Sequence, residues 1–354
     1  MAFKNPEKTK GQAVNKSSID LLINKLAKFF DLKLVSIDIL GEPKTCILLG
    51  KLVMRNKKNH KNYRKILIED GYVVFKNIFS KEDLDPIRKI SLDAIKKQSK
   101  DHREKNKSQG SLILIADYPQ FSELIGHEKL KNLLKELECQ NPKFNSGYII
   151  SKPKAGPALF WHQDWWAWQH EISYTEEIAQ FFVMIYLQDT DQRNGCLRVI
   201  PGTHRNPQIL QDYKNAHSDS VSRVENPEDP LYCSMEGEVE VPVSYGDVVV
   251  GDARMVHGAL PNRTENERLL ITLWFHPNYE KLPEEIKERI FEMFQRRGVD
   301  TDPLGKNSMT LERWPTEEKA KVFHLFPSSG SNVEPISWCR EPIWNKFSKL
   351  ETTQ

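Results

Sequence analysis

Apolar positions along this chain follow two rhythms, and the change between them near residue 144 organises the rest of the reading. Before that point the spacing is mostly helical. Ser17-Ser18-Ile19-Asp20 opens a run that sets Leu21, Leu22, Leu26, Phe29 and Phe30 along one side of a helix. Residues 34–40 alternate as a strand does, and residues 67–75 read as a helix end, a stop at Gly71 and a strand. Ser80-Lys81-Glu82-Asp83 offers a capping hydroxyl and first-turn carboxylates, which predicts a helix running to about Gln98. The Lys-, Arg- and Ser-rich residues 99–110 read as an exposed loop, and a further helix is expected over 128–137.

From Phe144 onward short β-rich runs are separated by turn signals, at 147–151, 159–164, 181–187, 197–200, 238–243, 247–251 and 269–275. That spacing predicts an antiparallel sandwich or jelly roll rather than βαβ units. After Pro277 the pattern turns helical again over 283–297, and the C-terminal residues hold Trp314, Trp338 and Trp344 among Pro, Ser and Gly. There is no internal repeat and no low-complexity tract.

Length and composition change this picture little. The 354 residues fit two domains or one large β-rich domain with helical additions. With 39% hydrophobic and 28% charged residues, a core of ordinary size is expected. A net charge of +2 supplies no field for nucleic acid or acidic membranes, so neither is expected as a partner. The basic run of Lys51, Arg55, Lys57, Lys58, Lys61, Arg64 and Lys65 reads as a solvated helix face. Five scattered cysteines form no C-x-x-C pair, so reduced, mostly buried thiols are expected. Residues 1–12 lack an apolar core of a secretory signal, and no apolar run reaches membrane-span length. The expectation is a cytoplasmic protein, monomer or homodimer, with a small-molecule substrate.

The chemistry concentrates in Trp161-His162-Gln163-Asp164-Trp165-Trp166-Ala167-Trp168, which holds an imidazole, a carboxylate and four indoles in eight positions. In a strand, side chains at i and i+2 leave the same face, so His162 and Asp164 can converge. With a second imidazole and open positions, that pair makes the facial triad suited to non-haem Fe(II). The distal histidine is His257, reached through a Gly246-Asp247 turn and the β-branched run 248–250. Eleven residues later Arg268 opens the run 269–275, and its planar guanidinium suits a bidentate carboxylate. Alone, His257 fits a hydrogen-bonded structural histidine and Arg268 a surface ion pair. Their occurrence with His162 and Asp164, in this order on a β-rich chain, favours the metal reading. His170, His204 and His276 are weaker metal candidates, and His170 is also a candidate for substrate contact. Trp165, Trp166 and Trp168 either pack the sandwich or wall a substrate pocket beside the metal.

Taken together, residues 161–164, 194–204 and 246–268 resemble the phytanoyl-CoA dioxygenase family of Fe(II)/2-oxoglutarate-dependent oxygenases. The quoted residues are Trp161-His162-Gln163-Asp164, then Asn194-Gly195-Cys196-Leu197-Arg198-Val199-Ile200-Pro201-Gly202-Thr203-His204, then Gly246-Asp247 through His257-Gly258 to Asn262 and Arg268. The resemblance covers roughly residues 65–277. It implies an α+β, mainly β fold with a double-stranded β-helix (jelly-roll, cupin-like) core and flanking helices. It implies His162, Asp164 and His257 as iron ligands and Arg268 as the binder of the distal carboxylate of 2-oxoglutarate. Thr272, on the same strand face, would add a hydroxyl, and Tyr148 is a weaker co-substrate candidate. The implied reaction consumes O2 and 2-oxoglutarate, releases succinate and CO2, and oxidises an unactivated C–H. With the Asp164 carboxylate present, hydroxylation is favoured over halogenation, while desaturation and ring chemistry stay open.

The expected domains are an N-terminal helical, basic extension (1–64), the dioxygenase domain with its packing helices (65–280) and a C-terminal helical extension (281–354). For part of the last, a lid over the site and a packed structural extension are both open. Rival readings are a non-catalytic metal-binding jelly roll that binds or senses a ligand, and a zinc hydrolase or isomerase on the same triad.

Overall fold

Residues 143–276 wind back and forth between two antiparallel sheets. The structure is a computed structural model. It describes the backbone of Val35–Ile39 and Glu42–Cys46, and residues 62–206, 216–295, 314–328 and 331–343. The helix expected after residue 17 and most of the basic run lie outside the described residues. The chain divides into two compact units, Met1–His60 and Lys61–Gln354. In the first, β1 (Val35–Ile39) and β2 (Glu42–Cys46) form an antiparallel hairpin.

In the second unit the strands are β3 (Tyr72–Phe75), β4 (Ile113–Leu114), β5 (Lys143–Lys152), β6 (Leu159–His162), β7 (Phe181–Tyr186), β8 (Leu197–Val199), β9 (Val239–Val241), β10 (Val248–Asp252), β11 (His257–Ala259) and β12 (Arg268–His276). The larger sheet has the order β3-β10-β7-β12-β5-β4 and the smaller β6-β11-β8-β9. From β5 to β12 the chain occupies the larger sheet at β5, β7, β10 and β12 and the smaller at β6, β8, β9 and β11. That alternation is the double-stranded β-helix of a jelly roll.

The period-two register decides what each sheet face buries. Phe182, Met184 and Tyr186 of β7 point inward and pack with Val249, Leu270, Leu197, Val199 and Val241 from both sheets. Their neighbours Phe181, Val183 and Ile185 point outward, against a second core shared with the helices. Strand β7 is therefore buried on both faces, which is why its sequence is a continuous apolar run. The helices covering that outer face include α1 (Tyr63–Asp70), α2 (Lys81–Lys96) and α3 (Glu128–Glu136), which bury Leu67, Leu84, Ile87, Leu130 and Leu133. After β12 come α4 (Glu284–Gln295) and α5 (Thr316–Val322).

The local signals act as their chemistry predicts. Gly71 closes α1 in the left-handed region at φ +85°. Ser80 and Asp83 form a reciprocal capping box at the start of α2. Gly246 sits at φ +82°, and a Cβ there would lie 2.0 Å from the Phe79 carbonyl oxygen, so the turn into β10 requires glycine.

Two expectations need correction. Residues 99–110 are not simply an exposed loop: Lys100–Lys105 is helical, with Ser99 as its cap. Arg103 donates to the Ile95 carbonyl at 3.0 Å, and buried Ser108 donates to Ala158 at 3.0 Å, so tertiary bonds order a polar sequence. Among the described cysteines, all free, only Cys196 is buried; Cys139 and Cys339 are half-buried and Cys233 is exposed. Among the described residues no helix is long and apolar enough to cross a membrane.

His276, at the end of β12, is fully buried and donates from Nδ1 to the Ala179 carbonyl at 2.7 Å. Burial pulls its imidazole from 6.5 down to about 4. The unfolded chain therefore takes up a proton below pH 6.5 that the fold refuses, so stability is complete above that pH and is lost progressively towards about pH 4. The loss from this group is on the order of 3 kcal/mol. Urea unfolding of wild type and His276→Asn at neutral and acidic pH checks this: the variant is less stable at neutral pH and has the shallower acid slope.

Candidate active site

The two histidines are brought together by strand pairing. In the smaller sheet β11 pairs with β6, and His257 stands opposite His162, with ring centroids 4.2 Å apart. Asp164 arrives by a different route from the expected pleat, because β6 ends at His162. The chain turns off the strand, and the Asp164 and Trp165 N–H groups both donate to the Ala253 carbonyl, at 2.8 and 2.9 Å. Ala253 lies in the turn between β10 and β11. That turn is fixed by a buried bidentate pair, with Arg254 Nε to Asp252 Oδ1 at 3.0 Å and Nη2 to Oδ2 at 2.7 Å.

The resulting cluster faces one point. The ligand atoms of His162, Asp164 and His257 all lie within 4.8 Å of one another. Each Nε2 is 3.6 Å from a different Asp164 oxygen, too far for a hydrogen bond and suited to donors that share one ion. The ring orientations are set from behind. His162 Nδ1 donates to the Phe160 carbonyl at 2.9 Å and His257 Nδ1 to the Met255 carbonyl at 3.0 Å, which leaves both Nε2 lone pairs turned inward. Burial, and then His257, push the His162 imidazole down to about 3, with Asp164 opposing, so the ring is neutral, as a ligand must be. Trp274 Nε1 donates to Asp164 Oδ2 at 2.8 Å and orients the carboxylate.

Strand β12 supplies the adjoining wall. Arg268, Thr272 and Trp274 occupy alternate positions of that strand and so share its inner face with Leu270. Arg268 is 3% exposed, forms no ion pair among the described residues, and its Nε has no hydrogen-bond partner. Burial depresses its guanidinium, partly offset by Tyr186 and Cys196. The Thr272 hydroxyl is likewise buried without a partner. Tyr148 faces Thr272 across the β5–β12 pairing and meets Trp274 edge to face at 5.8 Å. Two buried, unsatisfied donors on the strand face whose Trp274 bonds Asp164 are what a carboxylate-bearing ligand would satisfy.

The remaining candidates lie elsewhere. His204 donates from Nε2 to the Ile68 carbonyl at 2.8 Å, His276 is tied to Ala179, and His170 Nε2 meets Glu285 at 3.1 Å; none belongs to the cluster. Trp165, Trp166 and Trp168 are buried in a packed group with Tyr279, Leu282, Ile286 and Ile290. Trp165 Nε1 donates to Ser173 Oγ at 2.8 Å. Sequence reasoning missed Trp274, His217 and Arg340. The His217 ring stands edge-on to His162 at 5.4 Å, and Arg340 Nη1 lies 3.2 Å from His217 Nε2. For Trp274 the signal was available: counting by twos from Arg268 places it on the inner face.

A jelly roll holding two imidazoles and one carboxylate on one point has the donor set of a non-haem iron oxygenase. Comparison with known proteins agrees. The model of the family phytanoyl-CoA dioxygenase (PhyH) matches residues 67–270, and the chain belongs to that family. It is 27% identical over 229 residues to a probable alpha-ketoglutarate-dependent hypophosphite dioxygenase of Stutzerimonas stutzeri, covering 59% of this chain and 75% of that one. It is 25% identical over 263 residues to phytanoyl-CoA dioxygenase domain-containing protein 1 of Danio rerio, covering 59% and 86%. Among solved structures it is similar to EctD from S. alaskensis with 2-oxoglutarate and 5-hydroxyectoine, with a TM-score of 0.47, 17% identity and coverage of 79% and 86%. The protein is a 2-oxoglutarate-dependent non-haem iron dioxygenase that uses Fe(II) and 2-oxoglutarate.

The Trp274–Asp164 bond gives a direct test. Trp274→Phe keeps the apolar wall and removes the one N–H that orients the carboxylate. Anaerobic Fe(II) titration should show affinity reduced by about tenfold, the lower end of the usual effect of such supporting groups. Unchanged affinity would contradict the orienting role.

Proposed function

We propose that the enzyme hydroxylates an unactivated C–H of a small or medium-sized organic molecule, with release of succinate and CO2. In this reading residues 65–280 form the catalytic domain, flanked by extensions at 1–64 and 281–354. His162, Asp164 and His257 hold Fe(II) through Nε2, a carboxylate oxygen and Nε2. Arg268 grips the distal carboxylate of 2-oxoglutarate, the Thr272 hydroxyl adds a hydrogen bond, and Tyr148 borders the same pocket. When bound, iron and the oxoacid supply the oxidising power. The chain's own residues do the rest: the Nδ1 bonds keep both imidazoles in one tautomer, Trp274 orients the Asp164 carboxylate, and the apolar lining excludes water from the reacting centre.

The observation that carries this reading is Arg268, a buried guanidinium with no ion pair among the described residues, on the same face of β12 as the unsatisfied Thr272 hydroxyl and the Trp274 that bonds Asp164. A buried unpaired charge is costly, and a bidentate carboxylate is its natural complement. For Trp165, Trp166 and Trp168 we propose a structural part in substrate binding. Packed as they are, they form the floor on which the C-terminal residues rest.

Purified protein given Fe(II), ascorbate and 2-oxoglutarate should form succinate slowly without added substrate. Arg268→Ala should raise the 2-oxoglutarate concentration for half-maximal turnover by about a hundredfold, the scale of a lost charge-assisted bidentate contact. Fe(II) affinity should stay within a factor of about two, because Arg268 touches no ligand. Equal loss of iron and 2-oxoglutarate binding would contradict the assignment, and absence of succinate from wild type would contradict the activity.

A further inference from the structure

The C-terminal residues 336–343 form a strap pinned along its length. The Ile336 N–H donates to the Glu285 carbonyl at 3.0 Å, and Arg289 Nε donates to the Ile336 carbonyl at 2.6 Å. The Cys339 N–H donates to the Trp166 carbonyl at 2.8 Å, and the Trp168 N–H donates to the Cys339 carbonyl at 3.2 Å, a bridge that lays the strap beside the tryptophan segment. Trp338 stacks on Trp166 at 5.2 Å with 10° between the planes. Farther on, the Ile343 N–H donates to the Tyr174 hydroxyl at 2.7 Å.

Between these fixed points the strap presents Arg340. Its guanidinium carbon lies 5.0 Å from the Trp338 ring, and Nη1 reaches His217 Nε2, whose ring borders His162. The charge of Arg340 is felt at Asp164, His162 and His217. Arg268 instead opens β12 opposite Lys152, so the two guanidinium groups come from different elements of the fold.

Arg340 finds no acceptor in the ring of His217. The His217 Nε2 lies 2.9 Å from the Gln163 carbonyl, which accepts only if that nitrogen carries the proton. A protonated Nε2 cannot then accept from Arg340. Among the described residues no carboxylate forms an ion pair with Arg340, so its N–H fork is unclaimed beside the metal cluster.

We propose that Arg340 is the anchor for an oxyanion of the primary substrate, so that the enzyme oxidises a small organic acid, carboxylate or phosphonate. The proposal rests on the oxygenase reading above and adds the substrate class. The strap holds the guanidinium beside His217, and the acid would lie with its charge on Arg340 and its carbon skeleton towards His162, Asp164 and His257. Arg268 stays reserved for 2-oxoglutarate.

The test uses the full chain loaded anaerobically with Fe(II) and saturating 2-oxoglutarate, which occupies Arg268. The probes are valerate, pentylphosphonate and valeramide, followed by tryptophan fluorescence, since Trp338 and Trp166 lie beneath Arg340. Wild type should bind one or both acids at least about tenfold more tightly than the amide, the usual scale of a charge-assisted pair. The stronger acid identifies the oxyanion. Arg340→Gln should erase the preference, and Arg340→Lys should keep part of it. No saturable binding of either acid, equal binding of acids and amide, or a preference that survives in Arg340→Gln would overturn the proposal. The Fe(II)–2-oxoglutarate charge-transfer absorption in the same samples reports separately on the oxygenase reading and on correct folding of the variants. Its absence from wild type would overturn that reading, whereas its presence without acid preference would overturn only the role of Arg340.

Discussion

Two N–H groups, those of Asp164 and Trp165, converge on the Ala253 carbonyl, and the geometry of the centre depends on that junction. It ties the segment leaving β6 to the turn that enters β11. His162 is placed by the first and His257 by the second, while Asp164 is carried by the junction itself. The turn can serve as an anchor because Asp252 and Arg254 lock it with a fully buried bidentate pair, and Arg254 Nη1 also donates to the Ser173 and Thr175 carbonyls, at 3.2 and 2.7 Å. A buried pair of this kind contributes little net stability against an apolar replacement. Its value here is positional. It fixes the direction in which the backbone leaves the larger sheet, and thereby which way His257 points.

The charge pattern of the interior follows from the same architecture. Inside the barrel, β5 and β12 place Lys152 opposite Arg268. Both are buried, and no acidic side chain pairs with either among the described residues. Lys152 is satisfied by carbonyls, donating to Ser108 at 2.9 Å and to Pro157. Burial, with Arg268 and Arg198 nearby, depresses its ammonium well below the ordinary range. Arg268 has no such relief, and a guanidinium does not readily give up its proton. The interior is thus left with a buried positive charge at Arg268. That is a poor arrangement for stability alone, and it leaves a charge that a bound anion would complement.

How much of this was legible in the sequence depended on how local each cause was. The strands that pair His162 with His257 and carry Arg268 were legible because their spacing, the β-branched runs and the turn glycines all answer to short-range rules. Asp164 was found for a partly wrong reason: it reaches the metal cluster by hydrogen bonds to a distant turn rather than by the pleat of β6. Trp274 is legible from the period-two register of β12, which puts it on the face of Arg268 and Thr272. Arg340 and His217 were not legible at all. Each comes to the cluster through a tertiary course that no local pattern announces, Arg340 along a strap defined by its bonds to Trp166 and Trp168. The helix over Lys100–Lys105 was lost for a similar reason, since its polar sequence signals solvent while its order comes from Ile95, Ala158 and the capping Ser99.

The most direct measurement of the central claim is an anaerobic crystal structure with Fe(II) and 2-oxoglutarate bound. The account predicts iron density bonded to His162 Nε2, an Asp164 oxygen and His257 Nε2, with the distal carboxylate of the oxoacid paired to Arg268 and hydrogen-bonded to Thr272. Iron held by any other donors, or the oxoacid anchored away from Arg268, would contradict it.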